Sequence, residues 1–236
     1  MINFSQSNSE IKAKCLIKKT ELLCIQGKFK AAENTISRYN YLSISDSFAF
    51  LGRYTNAFTA YLSGNFENAE NQIIQLKSKL PKFYSNNIKI LEILILNEER
   101  KWDLAKNVAA SLELDSTERY KIDSLYSENL IPKMKSPTKA EKLSTFLPGS
   151  GFLYAGNIGE GIVNISFQLI GLGATTFLIL NKYYFTGLAI GYVSTFQRFY
   201  TGGIKRSSFL VEKRNYEKSK EFNEKLKIEL IAIVLK

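Results

Sequence analysis

The chain has 236 residues, with 32 Lys and Arg against 22 Asp and Glu, and it contains no histidine. This composition removes the commonest general base and the commonest metal ligand. Cys15 and Cys24 are the only thiols, and without a histidine to activate them we expect both to pack as buried apolar side chains. The sequence therefore predicts no catalytic, metal or cofactor site, and a protein that is not an enzyme.

Three segments near the amino terminus share a short pattern in which a turn residue is followed by an aromatic residue and then by alanine. The residues concerned are Gly27, Phe29, Ala32, Gly64, Phe66, Ala69, Trp102 and Ala105. The aromatic positions are separated by 37 and 36 residues, and a period of this size is typical of stacked helical hairpins. Glycine suits a tight turn between two helices, and alanine lets the helices approach closely.

This Gly-x-aromatic-x-x-Ala pattern resembles the tetratricopeptide repeat over about residues 8–115. The resemblance implies a concave surface that holds a peptide or a partner protein. The third segment has Arg100 in place of the turn glycine, and the period is longer than the usual 34 or so residues. We predict a repeat domain over residues 1–131, with a generic helical bundle as the alternative.

A linker over residues 132–147 separates this part from an apolar region. Ser136 and Pro137 read as the N-cap and first position of a helix. The lysines and apolar residues that follow, up to Leu147, suit a short helix at a membrane surface.

The next segment reads as a membrane hairpin, because residues 161–180 and 183–197 contain no charged residue. A helix of about 20 apolar residues crosses the hydrocarbon core of a bilayer, so we predict helices over about 158–180 and 183–203 within a domain of residues 148–206.

Residues 207–236 are predicted as a charged amphipathic helix whose last turns either return to the membrane surface or cap the repeats. The fold class is all-α: a repeat solenoid, a transmembrane hairpin and a charged C-terminal helix.

A glycine-rich motif stands at the entry to the first apolar run, formed by Pro148, Gly149, Gly151, Tyr154 and Gly156. It resembles the opening signature of small two-helix membrane domains, over about residues 147–206. The segment 196–206, together with Arg214 and Asn215, is also similar to uncharacterised Bacteroidetes-type proteins that join tetratricopeptide repeats to such a hairpin. The resemblance implies a membrane-tethered repeat protein and supplies no reaction.

Small residues predict how the two apolar helices pack, because close helix contacts in lipid favour glycine. We expect Gly187 and Gly191 to face Gly171 and Gly173. The same glycines offer a route to self-association of the hairpin.

Glu160 and Arg198 are the charged residues at the outer ends of the two apolar runs. An antiparallel hairpin would bring them to similar depth, and we expect them to form an ion pair. Arg198 reaching the interface alone is the alternative.

Basic residues flank both sides of the apolar region, at 133–142 and at 205–214. This distribution favours the anionic cytoplasmic leaflet over nucleic acid and predicts no nucleic-acid partner. We expect an integral protein of a bacterial inner membrane with cytoplasmic repeats. The alternative is an exported repeat domain, which would require a signal peptide upstream of this start.

The predicted function is a membrane-tethered adaptor whose repeats bind a protein partner. The alternative is a membrane enzyme or transporter component that uses Glu160, Arg198 and Tyr200.

Overall fold

The computed structural model describes residues 4–41 and 44–234 of the chain. Every regular element in this part is a helix, which confirms the all-α class. The chain divides into two compact units, one of Met1–Ile131 with Phe222–Lys236 and the other of Pro132–Glu221.

The first unit consists of consecutive helices joined by short turns. Their bounds are α1 Phe4–Ile25, α2 Phe29–Ile36, α3 Asp46–Ser63, α4 Phe66–Lys79, the 3₁₀ turn Pro81–Phe83, α5 Asn86–Glu98, α6 Trp102–Ala110 and α7 Ser116–Leu125. Each helix packs against the next from α1 through α7, so neighbours along the chain are neighbours in space.

One turn geometry recurs within the pairs α1–α2, α3–α4 and α5–α6. One or two residues after the end of the first helix, a residue has a left-handed backbone, with φ of 71° at Gly27, 82° at Gly64 and 61° at Arg100. The next amide then donates to a carbonyl five residues earlier, at 2.8–2.9 Å in all three pairs. This is the Schellman arrangement that ends many helices, and Arg100 adopts it without being glycine.

The alanine positions of the pattern have the predicted local role, and the aromatic positions share a location that the sequence analysis did not specify. Phe29, Phe66 and Trp102 each begin the second helix of a pair. Ala32, Ala69 and Ala105 are fully buried. The local pattern therefore set the helix starts and the close contacts.

The last part of the long helix α12, Arg198–Val234, belongs to the first unit. There Phe222 packs edge-on against Trp102 and Tyr126, and Leu226 and Leu230 are fully buried. Of the two positions predicted for the apolar end of the chain, the structure has the one in which it packs against the N-terminal helices.

The second unit contains a helical hairpin and three supporting helical segments. The elements are α8 Pro137–Phe146, α9 Ser150–Ala155, α10 Ile158–Leu180, α11 Tyr184–Thr186, a π-helix Gly187–Gln197 and the first part of α12. The Ser136 side chain accepts a hydrogen bond from the amide of Lys139 at 3.2 Å, which confirms the predicted N-cap. The second arm, predicted as one helix over 183–203, is instead divided among α11, the π-helix and α12.

Candidate anchoring hairpin and repeat surface

The outer surface of the hairpin is apolar and uncovered within its unit. α10 is the one helix in the described part of the chain that is long and apolar enough to cross a membrane, by length and composition. Side chains on both arms are 52–67% exposed: Ile162, Leu169, Ile170, Phe177, Leu188, Ile190 and Val193. An exposed apolar surface of this kind marks contact with lipid or with another protein.

Three of the four predicted packing glycines lie in the contact between the arms. A side chain added at Gly191 would start 2.6 Å from the amide nitrogen of Thr175, and one at Gly171 would start 2.7 Å from that of Phe196. Gly187 lies against Leu178 and Ile179, whereas Gly173 has nothing within 4 Å of that position. The first three glycines thus serve packing within one chain, and self-association of the hairpin stays a prediction.

A row of polar side chains on α10 faces the second arm. Asn164, Gln168 and Thr175 are each at most 9% exposed. The Asn164 amide donates to the Phe199 carbonyl at 2.9 Å, and Gln168 donates to Asn164 at 2.6 Å. Sequence reasoning missed this row, although its spacing of four and then seven residues places it on one helix face.

The ion pair predicted between Glu160 and Arg198 is wrong. Glu160 binds Arg206 instead, with Nε at 2.8 Å and Nη2 at 3.1 Å from its two carboxylate oxygens. Thr175 faces Gly191 and Asn164 faces Gly203, which centres the hairpin near residue 183. The prediction matched Glu160 with a residue eight positions closer to the turn than its observed partner.

The glycines of the entry motif permit close contacts among α8, α9, α10 and α12. Gly149 has a φ of 85° and lies against Ile165, and a side chain at Gly151 would overlap Ser144 and the carbonyl of Ala140. Beside Gly151, the Oγ atoms of Ser144 and Ser207 are hydrogen-bonded at 3.0 Å. The backbone conformation at Gly149 therefore favours glycine, and at both positions a larger residue would overlap its neighbours.

The polar members of the motif region fasten the linker to the hairpin. The Lys135 ammonium donates to the Tyr154 carbonyl at 2.6 Å, and the Ser136 amide donates to the Tyr154 hydroxyl at 3.1 Å. Asn215 holds both backbone groups of Lys135, at 3.0 and 2.7 Å. Arg214 covers Gly156 and donates to the Ala155 carbonyl at 2.8 Å.

In the first unit, an aromatic face runs along α3. Phe50, Tyr54 and Phe58 are spaced four residues apart, with ring centroids 6.1 and 6.2 Å apart along the row, and Phe83 stacks on Phe50 at 4.7 Å. Phe58 is 39% exposed. These four residues form a partly exposed apolar strip, which we call the α3 aromatic face.

Polar side chains, most of them partly exposed, also connect neighbouring helices of this unit. The Glu33 carboxylate accepts hydrogen bonds from Ser63 at 2.5 Å, Asn65 at 2.6 Å and Asn68 at 3.0 Å. Arg53, only 6% exposed, lies 4.1 Å from the ring centroid of Tyr41. Such satisfied networks fix the relative positions of helices.

A second polar group joins α4, the 3₁₀ turn and α5. Glu92 accepts from Lys77 at 2.8 Å and from the Tyr84 hydroxyl. Burial and the neighbouring Glu92 carboxylate raise the pKa of Tyr84, so Tyr84 stays a donor at neutral pH. Lys77, Tyr84 and Glu92 thus bind one another, which fits a structural role.

The two thiols differ, and the burial predicted for both is wrong for Cys15. Cys15 is exposed and Cys24 is half-buried. Burial, followed by the Glu21 carboxylate, raises the pKa of the Cys24 thiol. Because the thiolate is the reactive form, Cys15 is the better site for labelling.

Comparisons with known proteins leave the interpretation to the geometry. Among the described residues, no three His, Cys, Asp or Glu side chains are grouped so that they could hold a metal ion. A scan against protein-family models, a search of curated proteins and a search of solved structures each found no match.

Proposed function

We propose that the chain is a membrane-tethered adaptor, in which the hairpin inserts into a bilayer and the helical repeats bind a protein partner. The exposed apolar surface of the hairpin is the observation that carries this proposal. Leucine, isoleucine and phenylalanine side chains on both arms are uncovered within their unit. The hydrocarbon tails of lipids can surround these side chains without burying any polar group. Tethering raises the local concentration of a partner without any reaction.

The anchor is tested by changing its exposed residues. Ile170→Lys combined with Phe177→Lys places two charges on the uncovered surface of α10, and each lysine costs about 3 kcal/mol near the centre of a bilayer. We expect the wild-type protein to resist extraction from membranes by alkaline carbonate and the double variant to be released. The matched control is Ile74→Lys with Leu104→Lys, which are 52% and 53% exposed in the repeat unit and leave retention unchanged. Release of the wild-type protein would refute the anchor.

The α3 aromatic face supports the adaptor role, because partly exposed aromatic side chains are enriched in protein interfaces. A photo-crosslinking residue at Phe58 is expected to give one adduct of constant mass in membranes. The control is the same residue at Tyr120, which is 76% exposed on α7. Equal adducts at both positions, or none at Phe58, would contradict a partner at this face.

The charge distribution supports a cytoplasmic location for the end of the hairpin opposite its turn. Within residues 132–221 there are twelve Lys and Arg against five Asp and Glu, and only Lys182 lies at the turn of the hairpin. Basic residues concentrate on the cytoplasmic side of membrane proteins. An impermeant maleimide should therefore label Cys15 in lysed cells of a bacterial host and not in intact ones. Labelling in intact cells would place the repeats outside.

The enzyme or transporter alternative has less support. Glu160 is bound to Arg206, and the Tyr200 hydroxyl donates to the Thr145 carbonyl at 2.9 Å. Glu160 and Tyr200 are thus engaged in separate contacts, neither of which includes Arg198, and the adaptor remains the better proposal.

A further inference from the structure

The first part of α12 carries two cations on one face with an open glycine between them. Arg198, Gly202 and Lys205 are spaced four and three residues apart, so they share a helix face. A side chain added at Gly202 would meet nothing within 4 Å. Both cationic side chains are exposed.

Neither cation has a partner within the described part of the chain. The nearest candidate, Glu160, is occupied by both guanidinium contacts of Arg206. Arg198 instead lines a cleft with Asn164, Ser194, Phe199, Gly202 and Gly203. An unpaired arginine facing this cleft is available for an anion.

The depth of the face determines which anion it meets. Arg206 pairs with Glu160 in the first turn of α10, and Arg198 lies eight residues closer to the hairpin turn, or about 12 Å at 1.5 Å per residue. An arginine at such a depth extends toward the headgroups, and Lys205 lies seven residues, or about 10 Å of helix, nearer the base of the hairpin on the same face. The stacked rings of Phe167 and Phe199, with centroids 4.4 Å apart, form an apolar wall beside the cleft.

We infer that the Arg198–Gly202–Lys205 face binds the headgroup phosphate of an anionic phospholipid. The phosphate lies in the space over Gly202, where Arg198 and Lys205 both donate hydrogen bonds to its oxygens, and an acyl chain follows the apolar wall. Charge-assisted contacts from guanidinium to phosphate are among the strongest hydrogen bonds in proteins. The excess of basic residues at this end of the unit favours an anionic lipid over a zwitterionic one. This inference depends on the proposed insertion of the hairpin into a bilayer.

The test compares lipid binding by full-length variants in detergent, by native mass spectrometry with phosphatidylglycerol or phosphatidylcholine added. We expect the wild-type protein to retain phosphatidylglycerol preferentially, and Arg198→Gln and Gly202→Leu each to reduce this preference about tenfold, equivalent to about 1.4 kcal/mol. Gly202→Leu fills the space and changes no charge. The controls are Lys182→Gln, which removes a charge at the turn, and Gly173→Leu, which fills an open glycine on α10; both keep the preference.

Insertion is measured in parallel by carbonate extraction. Inserted variants that keep the wild-type lipid preference would refute this inference and leave the anchor intact. A wild-type protein that is released from membranes would refute both. If inorganic phosphate at 10 mM or so displaced the lipid, or Lys182→Gln had the same effect as Arg198→Gln, the site would not be a headgroup site at Gly202.

Discussion

Glu160 and Arg206 form a two-point ion pair between the first turn of α10 and α12, with N···O distances of 2.8 and 3.1 Å. The side chains come from residues 46 positions apart and connect the two arms at the base of the hairpin. Asn157, the N-cap of α10, also donates to Glu160 at 3.0 Å. The base is therefore held by a small polar cluster, while farther along the arms the contact combines glycine packing, the Asn164–Phe199 hydrogen bond and the Phe167–Phe199 ring stack.

This pair predicts the outcome of charge reversal. Glu160→Arg and Arg206→Glu should each lower the thermal stability of the protein in detergent, because each places two like charges together. The double reversal should recover about 0.5–1 kcal/mol, the range for partly exposed pairs. Glu160→Arg with Arg198→Glu serves as the control and should recover nothing. Recovery in that control would restore the pairing that the sequence suggested.

Gly191 predicts a steric effect with an internal control. Gly191→Ala would place a methyl group 2.6 Å from the amide nitrogen of Thr175, and we expect a loss of about 1–3 kcal/mol from overpacking. Gly173→Ala meets no atom within 4 Å and should be neutral or stabilising, because alanine is the better helix former. The measurement is thermal unfolding in detergent micelles. Equal effects of the two substitutions would argue against this packing.

Local rules predicted more of the fold than did rules that depend on register. Gly27 and Gly64 form turns and Ser136 caps a helix where the sequence predicted them, because a turn residue or a cap acts within a few positions. The partner of Glu160 depended on the conformation of the turn, where Lys182 has a φ of 67°, and on the π-helix that follows. Neither feature has a reliable local signal, so the predicted pair was displaced toward the turn.

Arg100 predicts a backbone effect that can be separated from its side-chain contacts. Its left-handed φ of 61° costs a non-glycine residue about 1 kcal/mol. We expect Arg100→Gly to be more stable than Arg100→Ala by about that amount, because both variants lack the arginine side chain and only alanine keeps the strain. Chemical unfolding followed by circular dichroism provides the comparison. A Gly–Ala difference near zero would contradict a left-handed residue at this turn.

The C-terminal cap predicts a large difference between two neighbouring aliphatic residues of α12. Leu226 is 0% exposed and Ile228 is 65% exposed. Leu226→Ala should therefore destabilise the protein by about 2–5 kcal/mol through loss of burial and a residual cavity, whereas Ile228→Ala should change stability by less than about 0.5 kcal/mol. Trp102 fluorescence reports on the same contact, because the Trp102 indole lies against Phe222 and donates to Asn223 at 3.3 Å. Similar losses for both variants would mean that this helix does not pack on the repeats as described.

Tyr39 predicts how stability depends on alkaline pH. Burial, with smaller effects from Tyr41 and Glu10, raises the pKa of Tyr39 to about 12 from an ordinary value of 10.0, and its hydroxyl donates to the Phe48 carbonyl at 2.6 Å. A pKa raised by folding contributes stability that is complete below pH 10 and is lost as the pH rises toward 12, because the unfolded chain releases the proton first.

Tyr39→Phe removes this titration together with the hydrogen bond. The variant should be less stable than the wild-type protein at pH 8, and the deficit should shrink between pH 10 and pH 12. Unfolding by urea across this range provides the measurement, with Tyr120→Phe, at a position 76% exposed, as the control. Because other buried tyrosines also titrate in this range, the informative quantity is the difference between Tyr39→Phe and wild type. A deficit that stays constant with pH would mean that Tyr39 ionises equally in the folded and unfolded chains.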